Sequence, residues 1–366
     1  MADPGALGSL GGPEVSKSLQ SLIDSGTKLY LDSVDPPEVD RNLEFGAVGA
    51  TSNPAIISEI VKRGSLDDRI EQRIADERTD DEIAWELTDQ LVNDAQQKLL
   101  AIHRETEGDA GWVSFELDPL LEDAGHAADP AEIAAEYLRL GKRWSNGHPN
   151  RMIKVPATEA GLAALEEMAA AGITLNVTLI FTADQYRRAR EAIWRGAQRR
   201  EDLDRFKSVY SIFVSRIDVY TQQHLADLSP AAQGMLGILN AKRIWNENRE
   251  FWADKGLKLA QELIFASTGT KNPEDPPWKY VEALAGSDIQ TNPPETNRAV
   301  AESDRRFSRQ VDVMPPEEVQ RELDGRVDVA AMHETLMREG IEKFVQPQRA
   351  LLELIAKKRR ELAGTG

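Results

Sequence analysis

No cysteine occurs among the 366 residues. That absence excludes thiol nucleophiles, disulfides and cysteine-ligated metals together, and it favours neither redox compartment. Histidine is scarce: the five are His103, His126, His148, His224 and His333, and no two stand at metal-ligand spacing. No uninterrupted apolar run approaches the length of roughly eighteen residues that a membrane span needs. The opening stretch, MADPGALGSLGGPEVSK, lacks a basic segment leading into an apolar one, so it does not read as a secretory signal. Residues 1–25 read instead as a flexible arm, and residues 26–366 as one domain. Positive charge is also short: 44 Lys and Arg against 62 Asp and Glu leave a net charge of −18. Nucleic acids and anionic membranes both require a basic face, so neither is an expected partner. Any phosphate bound by such a chain must be held by a few locally placed cations.

What is present is an alternation of short apolar runs and longer helical stretches. The runs are LYLDSV from Leu29, AVGATSN from Ala47, GWVSFELD from Gly111, RMIKVPAT from Arg151, GITLNVTLIF from Gly172, SVYSIFVSRID from Ser208, ELIFAST from Glu262 and SDIQTNP from Ser287. Between them lie segments such as EAGLAALEEMAAAG, with Leu162, Leu165 and Met168 on a helical period and Gly172 as its stop. Another is DDEIAWELTDQLVNDAQQKLLAIHRE, with its start signal at Thr79 and Asp80. Strands alternating with helices predict parallel βα units, and eight of them predict a closed (β/α)8 barrel. The G-x-G-x-x-G that would support an open doubly wound sheet does not follow the first run. Two stretches read as additions: the helical segment between the second and third strands, and a helical C-terminal tail from about Pro315.

Side chains alternate between the two faces of a strand, and barrel enzymes place their chemistry at the C-terminal strand ends. That parity sends Asp32, Thr51, Asn53, Glu116, Lys154, Asn176, Thr178, Ser211 and Phe213 inward, with Ser267 ending the seventh strand. Leu175, Val177 and Leu179 point outward by the same rule. Unpartnered, such buried polar groups would cost roughly 1–3 kcal/mol each; a purely structural barrel would use Val, Ile and Leu there. Lys154 could snorkel to solvent, but its neighbours are apolar and it precedes Val155-Pro156 at a strand exit. An interior lysine among carboxylates is a Schiff-base candidate. Its amine must be neutral to attack a carbonyl. At an ordinary pKa of about 10.4 only about 0.04% would be neutral at pH 7, a fraction that desolvation raises. Asp32 also suits a turn, Asn53 a helix N-cap, and Arg216 could pair with Asp218. Lys271 is no P-loop lysine, because Ile264 stands five positions before Gly269.

Six of these segments, in this order and spacing, resemble the transaldolase family. LYLDSVDPPEV is similar to its first-strand motif and GATSNPAII to its T-S/T-N-P signature. MIKVPATEAGLAAL resembles the lysine motif and GITLNVTLIFTADQY the N-x-T-L-x-F-S/T motif, while SIFVSRID and ASTGTKNP resemble two later signatures. The likeness runs from about Leu29 to the end and includes GIEKFVQPQRALLELI.

The resemblance implies a cofactor-free and metal-free enzyme of the pentose phosphate pathway. Such an enzyme moves a dihydroxyacetone unit from sedoheptulose 7-phosphate to glyceraldehyde 3-phosphate, giving erythrose 4-phosphate and fructose 6-phosphate. By the same resemblance Lys154 forms the imine, and Glu116 shuttles protons through a water held with Thr178. Asp32 takes the C4 hydroxyl proton. Thr51, Asn53, Asn176, Ser211 and Phe213 surround the substrate, with the two asparagines on its hydroxyls and Ser211 on the ketol end. Arg216 binds phosphate, aided by Lys271 and Ser267. The loop STGTKNP is longer than the Ser-aromatic-Arg form of some members, which leaves Lys271 the weakest assignment; IQTNPPETN matches only loosely and receives no role. The pathway and the missing signal imply a cytoplasmic location, and a homodimer is left open. The rival readings are an aldolase of the same superfamily that releases the three-carbon unit to water, a metal-dependent aldolase on the same fold, and a silent sugar-phosphate-binding barrel. Similar releasing aldolases carry Tyr and Gln where this chain has Phe213 and Glu116, so transfer is expected here.

Overall fold

Each of the eight apolar runs forms a strand: β1 (Lys28–Leu31), β2 (Gly49–Thr51), β3 (Trp112–Glu116), β4 (Arg151–Pro156), β5 (Leu175–Ile180), β6 (Ser208–Phe213), β7 (Glu262–Ala266) and β8 (Ile289–Asn292). Every pairing is parallel and sequential, and β8 returns to β1 to close a barrel. The structure is a computed structural model that describes residues 15–123, 125 and 129–363. His126 and the first fourteen residues of the expected arm lie outside the described residues.

The helices intervene as the alternation requires. α1 (Lys17–Asp24) precedes the barrel, and α2 (Pro36–Glu44) joins β1 to β2. The first addition is α3 (Pro54–Lys62), α4 (Asp67–Ala75) and α5 (Asp80–Glu105). α6 (Pro130–Ser145), α7 (Glu159–Ala170) and α8 (Ala183–Ala197) follow β3, β4 and β5. α9 (Ser215–His224) and α10 (Leu236–Trp252) follow β6, α11 (Lys279–Ala283) follows β7, and α12 (Pro294–Ala301) follows β8. The second addition is α13 (Glu317–Arg326) and α14 (Val329–Ala363). Local chemistry sets the boundaries. Thr79 caps α5 by accepting from the Glu82 N–H while the Glu82 carboxylate accepts from the Thr79 N–H, a reciprocal box. α7 ends two residues before Gly172, whose φ of 82° few other residues adopt. No helix of the described residues is long and apolar enough to cross a membrane.

Inside and outside separate by parity. Val113, Phe115, Ile153, Val155, Leu175 and Val177 pack outward against the helices, whereas Tyr30, Trp112, Met152, Val209, Ile264 and Ile289 fill the barrel. The Tyr30 ring lies so close over Gly49 that a Cβ there would come within 2.2 Å of it. Leu179 departs from the expected outward face. Its φ is 57° and the β5–β6 register shifts between Val177 and Ile180. One left-handed residue reverses the alternation, so Leu179 and Phe181 join the inner cluster and Ile180 faces the helices.

The chain ends are less peripheral than the sequence suggests. Part of the expected arm is α1, whose Leu19 and Leu22 are buried with Val300 and Phe307, so the packed structure begins before residue 26. α14 is 35 residues long and continues through Pro347. Its Leu351 and Ile355 join the main core, and its Phe344 joins the inner cluster.

Candidate active site

At the C-terminal strand ends lies a cavity of about 470 Å³. Of the residues expected there, Asp32, Thr51, Asn53, Lys154, Thr178, Ser211, Phe213, Arg216, Ser267 and Lys271 line it. Glu116 and Asn176 stand one step behind, bonded to Lys154 and Ser211.

β3 and β4 pair Glu116 with Lys154 in register. The Lys154 Nζ donates to Glu116 Oε2 at 3.1 Å and to the Ser52 carbonyl at 3.2 Å, and both charged side chains are buried. Burial pushes the Glu116 carboxyl up from its ordinary value; the Lys154 charge opposes that shift and Asp32 adds to it. A carboxyl raised in this way is a better proton acceptor than one in water. The Phe344 ring centroid lies 5.5 Å from the Lys154 Nζ and roofs this end of the cavity. Thr178 Oγ1 is buried with no hydrogen-bond partner among the described residues.

Across the mouth, Thr51 Oγ1 donates to Asp32 Oδ1 at 2.8 Å and lies 3.0 Å from Thr291 Oγ1. Ser211 Oγ donates to Asn176 Oδ1 at 2.7 Å, and Asn176 Nδ2 donates to Ser114 Oγ at 2.9 Å. This chain of bonds fixes the Ser211 hydroxyl on the inner wall. Asn53 does both things its sequence allowed: its Oδ1 accepts from the Ile56 N–H at 3.0 Å, capping α3, and the residue still lines the cavity.

The remaining wall is cationic. Arg216 sits in the first turn of α9, whose N-cap Val214 offers no side-chain cap. Helix N-termini of this kind favour anions. The Arg216 guanidinium lies 4.9 Å over the Phe213 ring, and its Nη1 is buried with no partner among the described residues. Burial pulls its pKa down, against the pull of the Asp32, Glu116 and Glu339 charges. It does not pair with Asp218, which accepts from the Gly237 N–H and the Tyr280 hydroxyl, both at 2.8 Å. Lys271 and Lys343 complete the wall. Burial lowers the Lys343 pKa first, and the Arg216 and Lys271 charges lower it further. Ser267, at φ 56°, brings its Oγ within 2.9 Å of Ser215 Oγ.

Sequence reasoning missed Thr291, Glu339, Lys343 and Phe344, all of which line the cavity. Thr291 lies in the loosely matching eighth strand. The other three come from α14: Lys343 and Phe344 lie within the segment whose likeness was noted without a role, and Glu339 immediately precedes it. Among the described residues, no three His, Asp or Glu side chains gather as metal ligands would.

Comparison with known proteins identifies relatives along most of the chain. Residues 29–355 match the family described as Transaldolase/Fructose-6-phosphate aldolase. A transaldolase of Trichodesmium erythraeum is 31% identical over 95% of this chain and 99% of its own. One from Thermobifida fusca is 32% identical over 92% and 97%, and one from Saccharopolyspora erythraea 30% identical over 93% and 97%. The chain therefore belongs to the transaldolase/fructose-6-phosphate aldolase family.

Proposed function

We propose that this chain is a transaldolase that carries a dihydroxyacetone unit on Lys154 between sugar phosphates. The observation that carries the reading is the buried Lys154–Glu116 pair, 3.1 Å apart, at one side of a cavity whose other side is lined by Arg216, Lys271 and Lys343. A phosphoketose fits such a site with its phosphate on the cations and its carbonyl at Lys154.

The chemistry follows from that orientation. Lys154 passes a proton to Glu116 and attacks the ketose C2 as a neutral amine. Glu116 returns the proton to the departing carbinolamine hydroxyl, through a water that also satisfies Thr178 Oγ1. Asp32 removes the C4 hydroxyl proton, the C3–C4 bond breaks, and its electron pair moves into the iminium. The aldehyde leaves and an enamine stays on Lys154. The iminium is the electron sink, so no Lewis-acid metal is required. An acceptor aldehyde then takes the enamine carbon, and the steps reverse. Asn53 orients the substrate hydroxyls, while Asn176 acts on the ketol end through Ser211. A protein of this kind acts in the cytoplasm and binds neither nucleic acid nor membrane; a homodimer is compatible with it.

Transfer rather than release rests on the cavity wall. Phe213 has no proton to give the enamine, and Glu116 is held beside Lys154. The test combines two measurements. Borohydride reduction in the presence of fructose 6-phosphate should leave a three-carbon adduct on Lys154, mapped by mass spectrometry. Cleavage of fructose 6-phosphate alone should be slow and should accelerate once erythrose 4-phosphate is added. An adduct on another lysine removes the assignment of Lys154, and equal rates with and without acceptor make the chain a releasing aldolase.

A further inference from the structure

The opposite end of the barrel holds a second cavity, of about 320 Å³, lined by the segments that lead into β3, β4, β5, β6 and β7 and open to solvent at Arg205. Its lining includes Arg151, Arg200, Arg205, His103 and His148 and, among the described residues, no Asp or Glu. That composition is unexpected in a chain with 62 acidic residues against 44 basic ones. Each of the three arginines keeps donors that the described residues do not neutralise in full. Arg151 is fully buried; its Nη1 lies 2.7 Å from Asp89 and its Nε donates to Gln96 at 2.8 Å, but its Nη2 has no partner among the described residues. Arg200 rests over the Phe206 ring at 5.7 Å. Arg200 and Arg205 form no ion pair among the described residues, and the Asp202 charge acts on Arg200 only through space.

The C-terminal ends of α5, α6 and α8 reach this face, and helix dipoles favour cations near such ends. That accounts for His103 in the last turn of α5. It does not account for Arg151, which opens a strand, or for Arg205, which lies eight residues beyond α8. Guanidinium groups present forked donors matched to phosphate oxygens. We propose that this cavity is a second anion site, which binds a small phosphate ester on Arg200 and Arg205 with Arg151 beneath them. Its volume is smaller than the roughly 470 Å³ of the Lys154 cavity, so the ligand is a compact ester of triose size rather than a nucleotide.

Arginine footprinting of the full chain tests this independently of the Lys154 chemistry. Phenylglyoxal labelling of each arginine is followed by mass spectrometry, with glycerol 3-phosphate as the probe and chloride at equal ionic strength as the control. At about ten times its Kd, the probe should slow labelling of Arg200 and Arg205 about elevenfold. That protection should persist in Arg216→Ala, which disables the other phosphate site. In Arg200→Glu, protection of Arg205 should disappear while Arg216 remains protected, which also shows that the variant is folded. No protection at Arg200 and Arg205 overturns the proposal, leaving these cations to serve the helix ends. Protection that vanishes in Arg216→Ala overturns it equally, because the effect would then originate at the first site.

Discussion

Arg216 is a half-buried cation whose Nη1 is itself buried and finds no acceptor among the described residues. Leaving a charged donor unmatched is costly unless something arrives to satisfy it. Its carboxylate neighbours act only through space, while its former candidate partner Asp218 is engaged elsewhere. Arg216→Ala should therefore cost about 1.5–3 kcal/mol of transition-state binding for phosphorylated ketoses, roughly ten- to a hundredfold in kcat/KM. Unphosphorylated dihydroxyacetone-type donors should be nearly unaffected. Equal losses on both, measured side by side, would make Arg216 a packing residue. The residue scale is also where the sequence was most legible. Lys154 and Glu116 stood out because each is a charged side chain between apolar neighbours in a strand run, whereas Asp32, just past β1, also suited a turn. The alternatives left open were those of residues beyond the strand ends. Asn53 keeps its cap and its place at the cavity, and Arg216 does not pair with Asp218. Such outcomes depend on where a neighbouring loop arrives, which strand parity does not encode.

At the scale of elements, α14 is part of the site rather than an appendage. Phe344 lies over Lys154, and Gly340, one turn earlier, packs on Leu179 and Phe181. On the proposed mechanism, a ring in that position would keep water from the Lys154 enamine. Phe344→Ala should raise acceptor-independent cleavage of fructose 6-phosphate by about tenfold, a change of about 1.4 kcal/mol in the barrier to release. An unaltered ratio of release to transfer would reduce α14 to a structural cover. The α9–α10 junction supports a different expectation. Asp218 is buried there, and burial raises its carboxyl to about 6, against the opposing bond from the Gly237 N–H. A folded pKa above the ordinary 3.8 means that stability is fully present below about pH 3.8 and is lost as pH rises through about 6. Asp218→Asn keeps an acceptor for Gly237 and can donate to the Tyr280 oxygen, so it should leave stability unchanged near pH 4 and add about 1–3 kcal/mol at pH 8. Urea melts at the two pH values check this; a gain of equal size at both would show that charge is not the cause. The strands and their order were legible because short apolar runs alternate with helical stretches along the chain, although period-two patterning is weak in AVGATSN and SDIQTNP. The contribution of α14 to the cavity was not, since a Glu339/Lys343 spacing of four residues on a helix is equally typical of a solvent-facing surface. Nor was the reversal at Leu179, which carries no glycine to mark it.

For the whole molecule, barrel closure draws distant parts of the chain onto one charge cluster. Lys28 opens β1, Asp109 precedes β3, Lys207 precedes β6 and Glu262 opens β7. Lys28 reaches Asp109 at 2.6 Å and Glu262 at 2.9 Å, and the fully buried Lys207 reaches Asp109 at 2.9 Å and also binds Glu262. Burial alone would push the Asp109 carboxyl up, but the Lys207 and Lys28 charges outweigh it and hold the pKa at about 2. Breaking a buried network by removing one partner strands the others, at a typical cost of about 3–5 kcal/mol. Lys207→Met preserves most of the volume and removes the charge, so it should lower stability at neutral pH by that amount. Acid should then narrow the gap. A depressed folded pKa contributes stability that is present above the ordinary value of 3.8 and lost as pH falls through about 2. With Lys207 gone, the Asp109 pKa moves back toward its ordinary value and less of that stability exists to be lost. The difference between parent and variant in urea unfolding should therefore be largest near pH 7 and shrink steadily below about pH 4. The Lys154 adduct with fructose 6-phosphate should still form, because the cluster lies at the other end of the barrel. A deficit that stays constant with pH would assign the loss to packing around the methionine rather than to the missing charge.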